Sequence, residues 1–161
     1  PHTHMLQLMT ALHDTAFSTW LREAETVWAF PTVLTIHTFG MMLLVGSAWF
    51  VDLRLLGVAR TIPIGPLRPL FRIMWFAFWI NLATGVLLFI ADPERKSTSL
   101  LFAFKMVLII INLPLLKRLE RAIYRESPEP VAVAGGTRQL AAASAMLWAG
   151  TIFAGRLLGY M

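Results

Sequence analysis

The sequence predicts an all-α integral membrane protein, a bundle of four transmembrane helices with an N-terminal amphipathic surface helix. Of its 161 residues, 57% are hydrophobic and only 14% are charged. The mean hydropathy is +0.66, and this apolar share exceeds that of soluble domains. Four apolar segments are long enough to cross a bilayer. Because the chain contains no cysteine, disulfides and thiolate metal ligands are excluded.

The N-terminal segment, residues 1–26, predicts an amphipathic helix that lies along a membrane surface. Its apolar side chains recur mostly every three or four residues, with polar side chains between them: Met5, Leu8, Met9, Leu12, Ala16 and Trp20. Such a stripe is typical of a helix half-immersed in the membrane interface. The remaining residues, 27–161, predict the four-helix transmembrane domain.

The spans follow one another with polar or proline-rich links. The link TIPIGPLRP follows the first span, the turn DPERKS follows the second, and the basic helical extension KRLERAIYR and the linker ESPEPVAVAGG follow the third. Asp52 and Arg54 are predicted where the first span leaves the membrane. The predicted spans are residues 28–51, 70–91, 100–116 and 139–160.

Basic residues fall mainly on one side of the predicted bundle, which indicates its orientation. The richer side carries Arg54, Arg60, Arg68, Arg72, Lys117, Arg118, Arg121, Arg125 and Arg138, and the poorer side carries Arg22, Arg95 and Lys96. Lysine and arginine favour cytoplasmic loops. We therefore expect a multi-pass protein of the bacterial cytoplasmic membrane with both termini outside, in the periplasm. The net charge of +5 is a topology signal, so the predicted partner is the lipid bilayer and not a nucleic acid.

One ionisable side chain, His37, lies inside the first apolar span. Ionisable residues within a membrane are costly and are often functional. Three interpretations remain open: a hydrogen-bonded structural residue, a metal or haem ligand, and a member of a proton relay. The sequence contains no motif for hydrolysis or nucleotide binding that would indicate another kind of site.

Two further cations are predicted in the same half of the membrane. At 1.5 Å per helical residue, His37 lies roughly 13 Å from the outer end of its span, Lys105 roughly 7 Å and Arg156 roughly 6 Å. Two cations above a histidine suit a haem whose iron binds the imidazole and whose propionates point to the surface. Alternatively, Lys105 and Arg156 extend to the lipid headgroups.

Neighbours of His37 on its own helix favour a ligand site. Gly40 lies about one turn away and Met41 four residues away, on the same face. The missing side chain of Gly40 predicts room for a flat ring, although it would equally allow a neighbouring helix to approach. In the other spans, Asn81 and Thr84 predict hydrogen bonds between helices, and Trp148 predicts packing bulk.

Several short motifs resemble known families. The order of His37, RIM at residues 72–74, TG at 84–85 and Lys105 resembles the bacterial membrane protoporphyrinogen oxidase family of helical haem proteins, and is similar to the copper-resistance D family. The phrases VGSAWFVDLRLLG, LLFIADPER and FAGRLLGY resemble a group of small, functionally uncharacterised bacterial four-span membrane proteins. The resemblance implies that His37 is an axial haem ligand and that Lys105 is a functional cation near the porphyrin.

The functional prediction is a protein that binds b-type haem and takes part in membrane redox chemistry or electron transfer, as an oxidoreductase or as an electron-transfer subunit of one. The predicted partners are a quinone or a redox protein, and a second copy or a larger membrane complex. The later spans contain no histidine, so the second axial position falls to Met106, Met146, His13 or a partner's residue, or stays open.

Two alternatives need no haem. A cofactor-free accessory or anchoring subunit would need only the bundle and its surface helix. Copper handling on the outer face would use the N-terminal histidines His2, His4 and His13, with Met5 and Met9 nearby, because imidazole and thioether groups bind copper.

Overall fold

A computed structural model of the chain describes residues 2–23, 29–91, 99–125, 135–158 and 160. Four of its helices are long and apolar enough to cross a membrane, which confirms the predicted four-helix transmembrane fold. A 3-10 turn at Gly65–Leu67 leads into the second of them. The α-helices are α1 (His2–His13), α2 (Ala16–Glu23), α3 (Ala29–Leu56), α4 (Arg68–Ala91), α5 (Leu100–Arg125) and α6 (Gly135–Leu158).

Most predicted span limits agree with α3 to α6. The helix α3 ends at Leu56 instead of Val51, and α6 begins at Gly135 instead of Gln139. The helix α5 continues through Pro114 into the predicted basic extension. The proposed domain boundary after residue 26, the turn DPERKS and most of the linker ESPEPVAVAGG lie outside the described residues.

The N-terminal segment forms two short helices, so the prediction of one continuous helix was wrong. The break lies at Asp14 and Thr15. The Thr15 hydroxyl donates to the Leu12 carbonyl at 2.9 Å, and such side-chain bonds to the backbone compete with helix continuation. The predicted apolar stripe is largely exposed on α1 and α2. Its association with a membrane surface stays a prediction.

Gly57 terminates α3. Its backbone adopts a φ of +98°, a left-handed conformation that glycine adopts without steric cost. The Gly57 amide donates to the Arg54 carbonyl at 3.1 Å, and the Val58 amide donates to the Leu53 carbonyl at 3.0 Å. This pair of bonds is the Schellman arrangement, which satisfies the last carbonyls of a helix.

Asp52 and Arg54 are buried in the bundle near the end of α3, and the membrane boundary predicted at their level stays a prediction. The Arg54 side chain reaches past the end of α3, where its Nε donates to the Ile62 carbonyl. The Asp52 carboxylate accepts a hydrogen bond from Ser144 of α6. Both residues lie within α3, which extends to Leu56, beyond the predicted end of the span at Val51.

The four long helices are arranged in the order α4, α3, α6, α5 around the bundle. The helix α3 packs against α4 and α6, and α5 packs against α6, whereas α4 and α5 make few contacts. The packed core lies in one half of the bundle, near the turn that joins α3 to α4. We call it the core half, and its buried residues include Leu44, Ala48, Val51, Leu55, Phe71, Met74, Ala77, Leu116, Leu119, Ile123 and Ala141.

Side chains hold α4 and α5 together at both ends of the bundle. In the core half, Trp75 Nε1 donates to Glu120 Oε2 at 3.2 Å, and Lys117 Nζ lies 5.6 Å from the Trp75 ring centroid. At the opposite end, the rings of Phe89 and Phe102 stack with centroids 5.6 Å apart. Between these contacts the two helices separate and leave a cavity.

Candidate functional site

The cavity has a volume of about 960 Å³ and lies between α3, α4, α5 and α6. It occupies the half of the bundle opposite the packed core, which we call the cavity half. Most of its lining is apolar, and the volume is within the range of cofactor and substrate sites. The polar and charged side chains among its lining residues are His37, Asn81, Ser99, Lys105 and Trp148.

A hydrogen bond to Thr84 determines which nitrogen of His37 carries the proton. The Thr84 hydroxyl donates its single hydrogen to the Ile80 carbonyl at 2.8 Å, one turn earlier in α4. Its oxygen lies 2.8 Å from His37 Nδ1, so with the hydroxyl hydrogen assigned to the Ile80 carbonyl the oxygen accepts and Nδ1 is the protonated nitrogen. The lone pair of the imidazole is then on Nε2, as it is in histidines that bind metals through that atom.

Gly85, and not Gly40, is the glycine beside the imidazole in the cavity. A Cβ atom on Gly85 would lie 3.5 Å from His37 Cε1, and Gly85 lines the cavity. Gly40 is buried at the contact between α3 and α4, where the amide of Asn81 occupies the space that a side chain would need. The interpretation of Gly40 as room for a flat ring was therefore wrong, and the alternative of close helix approach is correct.

We expect Gly40→Val to destabilise the bundle. A Cβ atom there would lie 2.8 Å from Asn81 Oδ1 and 3.1 Å from its Cγ, so the amide must move. Overpacking of this kind costs about 1–3 kcal/mol, which should lower the apparent melting temperature by about 5 °C. Gly46→Val in the same helix is the matched control, because a Cβ atom there meets nothing within 4 Å. Equal melting temperatures for the two variants would contradict this account of Gly40.

Lys105 reaches the cavity across from His37. It is half-buried, and its Nζ lies 3.4 Å from the position of a Cβ atom on Gly155 of α6. The absence of a side chain at Gly155 thus leaves room for the ammonium group. Because α3 and α5 are diagonally opposite in the bundle, His37 and Lys105 face the cavity from different sides.

Arg156 lies outside the cavity lining. Its guanidinium is exposed, with Cζ 5.9 Å from the Tyr160 ring centroid and one nitrogen 3.5 Å from the Tyr160 hydroxyl. Of the two cations predicted above His37, the structure brings only Lys105 into the cavity.

The candidate second ligands of the iron also fall into two groups, those that line the cavity and those that lie outside it. Met41 and Met106 line the cavity, whereas Met146 is 76% exposed on the outside of α6. His13 is at the end of α1, where its Nδ1 lies 3.0 Å from an oxygen of Asp14. Met106 belongs to α5, on the opposite side of the cavity from His37, and Met41 follows His37 by about one turn on the same helix.

No family model, curated protein or solved structure matches this chain. The suspected family resemblance therefore stays a prediction.

Asn81 and Trp148 are the functional candidates that the sequence pattern did not identify. Asn81 is 7% exposed and Trp148 is 2% exposed, and both line the cavity. Among the described residues, neither the Asn81 amide nor Trp148 Nε1 has a hydrogen-bond partner. The predicted interhelical hydrogen bond was thus correct for Thr84, which accepts from His37, and wrong for Asn81. No sequence signal separates an unpartnered asparagine from a bonded one.

The described part of the chain contains no cluster of three or more His, Asp or Glu side chains that could hold a metal ion. His4 is exposed on α1, and His13 contacts Asp14, whereas the side chain of His2 lies outside the described residues. Copper binding by the N-terminal histidines stays a prediction.

Proposed function

We propose that the protein binds b-type haem in this cavity and takes part in membrane redox chemistry or electron transfer. The observation that carries the proposal is the bond between His37 and Thr84. Where Thr84 accepts from Nδ1, the basic nitrogen of the imidazole is Nε2. A second partner on the other ring nitrogen is the usual support for a metal-binding histidine.

Other lining residues have the chemistry that a haem requires. His37 would bind the iron as the axial ligand, and Met106 would approach from the opposite helix as a thioether ligand. Lys105 supplies a positive charge for a propionate. The wall of the cavity is apolar, which suits the porphyrin ring, and Gly85 leaves space beside the imidazole. When bound, haem would supply a one-electron redox centre, and these residues would position it.

The cavity favours this proposal over a cofactor-free anchoring subunit. An anchoring bundle gains nothing from an open volume of about 960 Å³, since unfilled space forfeits packing contacts. It also gains nothing from placing a lysine and a histidine around that volume, because polar groups within a membrane are costly. We further propose that the cavity half faces the periplasm of a bacterial cytoplasmic membrane, because the basic residues cluster at the core half.

The visible spectrum of the purified protein tests the proposal. We expect protein expressed with a haem precursor, or reconstituted with haem in detergent, to show a Soret band at a haem-to-protein ratio near one. The band should shift on reduction, as expected for iron with protein ligands. Protein that stays colourless after reconstitution, while remaining monodisperse, would overturn the proposal.

A further inference from the structure

Lys105 brings a positive charge to the cavity, and the cavity lining does not balance it. Among the lining residues of the described chain there is no aspartate or glutamate, and Lys105 is the only lysine or arginine. Lys105 forms no ion pair with any described residue. An ammonium group within a membrane is costly unless it meets an anion or water. A ligand that carries a negative charge would therefore supply the missing partner.

The ammonium group of Lys105 lies near one end of the bundle, in the cavity half. Its Nζ is beside Gly155, and Gly155 precedes the end of α6 at Leu158 by about 4.5 Å along the helix. A charged group is costly to bury in hydrocarbon, so the acidic group of a lipid stays close to the headgroups while its chain lies deeper. The position of Nζ matches the depth of such an acidic group.

From the level of Lys105 the cavity continues towards the packed core half. Leu113 follows Lys105 on α5 by about 12 Å, and Leu44 follows His37 on α3 by about 10 Å. Both leucines line the cavity. A medium-length acyl chain placed along this apolar wall would make the packing contacts that unfilled space forfeits.

The cavity opens sideways between α4 and α5. These helices make few contacts with each other, and the residues at the edges of the gap are exposed and apolar: Leu82 and Val86 on α4, and Ile110 on α5. All three edge residues belong to segments that are apolar enough to cross a membrane. A compound dissolved in the lipid can thus enter the cavity without crossing water.

The end of this gap nearest Lys105 is closed, which favours a ligand with a compact acidic group. The rings of Phe89 and Phe102 stack there with centroids 5.6 Å apart, and both residues line the cavity. A ligand that passes beside them must bring its whole polar end into the cavity. A carboxylate can pair with a single lysine. The glycerol and phosphodiester of a phospholipid would bring further polar groups that an apolar lining cannot satisfy.

We infer that, in the absence of haem, the cavity binds a single-chain lipid carboxylate, a medium-chain fatty acid, with its carboxylate on Lys105 and its chain directed towards Leu113. The inference goes beyond haem binding and does not rest on it, because the acid needs no axial ligand from His37. Haem and the acid share Lys105, so they are alternative occupants of one cavity.

Photo-crosslinking tests this site in the haem-free full chain, reconstituted into phosphatidylcholine nanodiscs. The probe is decanoic acid with a diazirine near the end of its chain. We expect saturable labelling of cavity-lining residues, located by mass spectrometry. Unlabelled decanoic acid should compete with the probe, whereas decanol, which has the same chain but no charge, should compete about tenfold or more weakly. Decylamine, which is a cation, should compete least.

Lys105→Met removes the charge and keeps an unbranched side chain, so it should weaken probe binding about tenfold or more. Lys117→Met is the matched control. Lys117 belongs to the same helix, but its Nζ lies 5.6 Å from the Trp75 ring centroid in the core half, outside the cavity lining. We expect the control to keep wild-type labelling. His37→Ala should also keep it, which separates this site from haem binding.

A second pair of variants changes the site without changing its charge. A Cβ atom on Gly155 would lie 3.4 Å from Lys105 Nζ, so Gly155→Val should displace the ammonium group and weaken labelling. Gly136→Val is its control in α6, because a Cβ atom there meets nothing within 4 Å. This control should bind the probe as the wild-type chain does.

The inference is refuted by any of three results. These are no saturable labelling of the wild-type chain, equal competition by decanoic acid and decanol, or equal losses in Lys105→Met and Lys117→Met. The failure of haem binding gives a different pattern. A protein that stays colourless with haem, but whose labelling still depends on Lys105, leaves the fatty-acid site intact.

Discussion

Replacing His37 by alanine is expected to abolish the Soret band of the haem-loaded protein. The substitution removes the only histidine of the described membrane-spanning helices, and the lining sulfur ligands that remain are the thioethers of Met41 and Met106. A single thioether is a poor replacement for imidazole. Haem affinity should therefore fall to the level of non-specific partitioning into detergent, as measured by absorbance after gel filtration.

Two further variants separate iron binding from general damage. His13→Ala should keep the full Soret band, because His13 lies at the end of α1 beside Asp14 and outside the cavity lining. Thr84→Val keeps the shape of the side chain but removes the oxygen that accepts from His37 Nδ1. Loss of such a supporting bond should weaken haem affinity by about 10- to 100-fold. A full band in His37→Ala would refute the axial role of this residue.

Phe71→Ala is expected to cause the largest loss of stability of any single truncation on α4. Phe71 is 0% exposed and lies within the packed core half. Its removal leaves a void that the surrounding helices cannot fill, at a cost of about 2 kcal/mol from lost packing alone. The transfer contribution known from soluble proteins is small here, because lipid tails are as apolar as the core. The apparent melting temperature should fall by about 5 °C.

The control for this variant is Phe76→Ala. Phe76 belongs to the same helix but is 64% exposed towards lipid, so its truncation should change the free energy of unfolding by less than about 0.5 kcal/mol. Both variants should be compared at one heating rate, following the loss of monodisperse protein, since membrane proteins often unfold irreversibly. Similar melting temperatures for Phe71→Ala and Phe76→Ala would contradict the position of the core.

The transmembrane helices were predictable because their signal is local. A bilayer demands a long apolar helix from each span, and that demand is visible in the sequence without knowledge of the neighbours. The same reasoning placed His37 and Lys105 in the same half of the membrane, since depth follows from counting residues at a constant rise. Both residues indeed line one cavity.

Orientation around each helix axis was not predictable in the same way. Gly40 and Gly85 are equally plausible neighbours of a ligand in the sequence, but only Gly85 faces the cavity, because Asn81 fills the space beside Gly40. Lys105 and Arg156 were equivalent candidates, yet Arg156 points outward to Tyr160. Every face of a lipid-embedded helix is apolar, so the amphipathic pattern that reveals the buried face in soluble proteins is weak here.

By itself, the sequence determined the four-helix membrane class and the limits of most spans, and it marked His37 as a candidate site residue, because these follow from hydropathy and from the cost of a charge in lipid. Only the tertiary structure decided the contact of His37 with Thr84 and the unpartnered amide of Asn81 beside Gly40. Both depend on contacts between different helices. Such contacts follow from how α3, α4, α5 and α6 pack, and no local pattern in one helix encodes them.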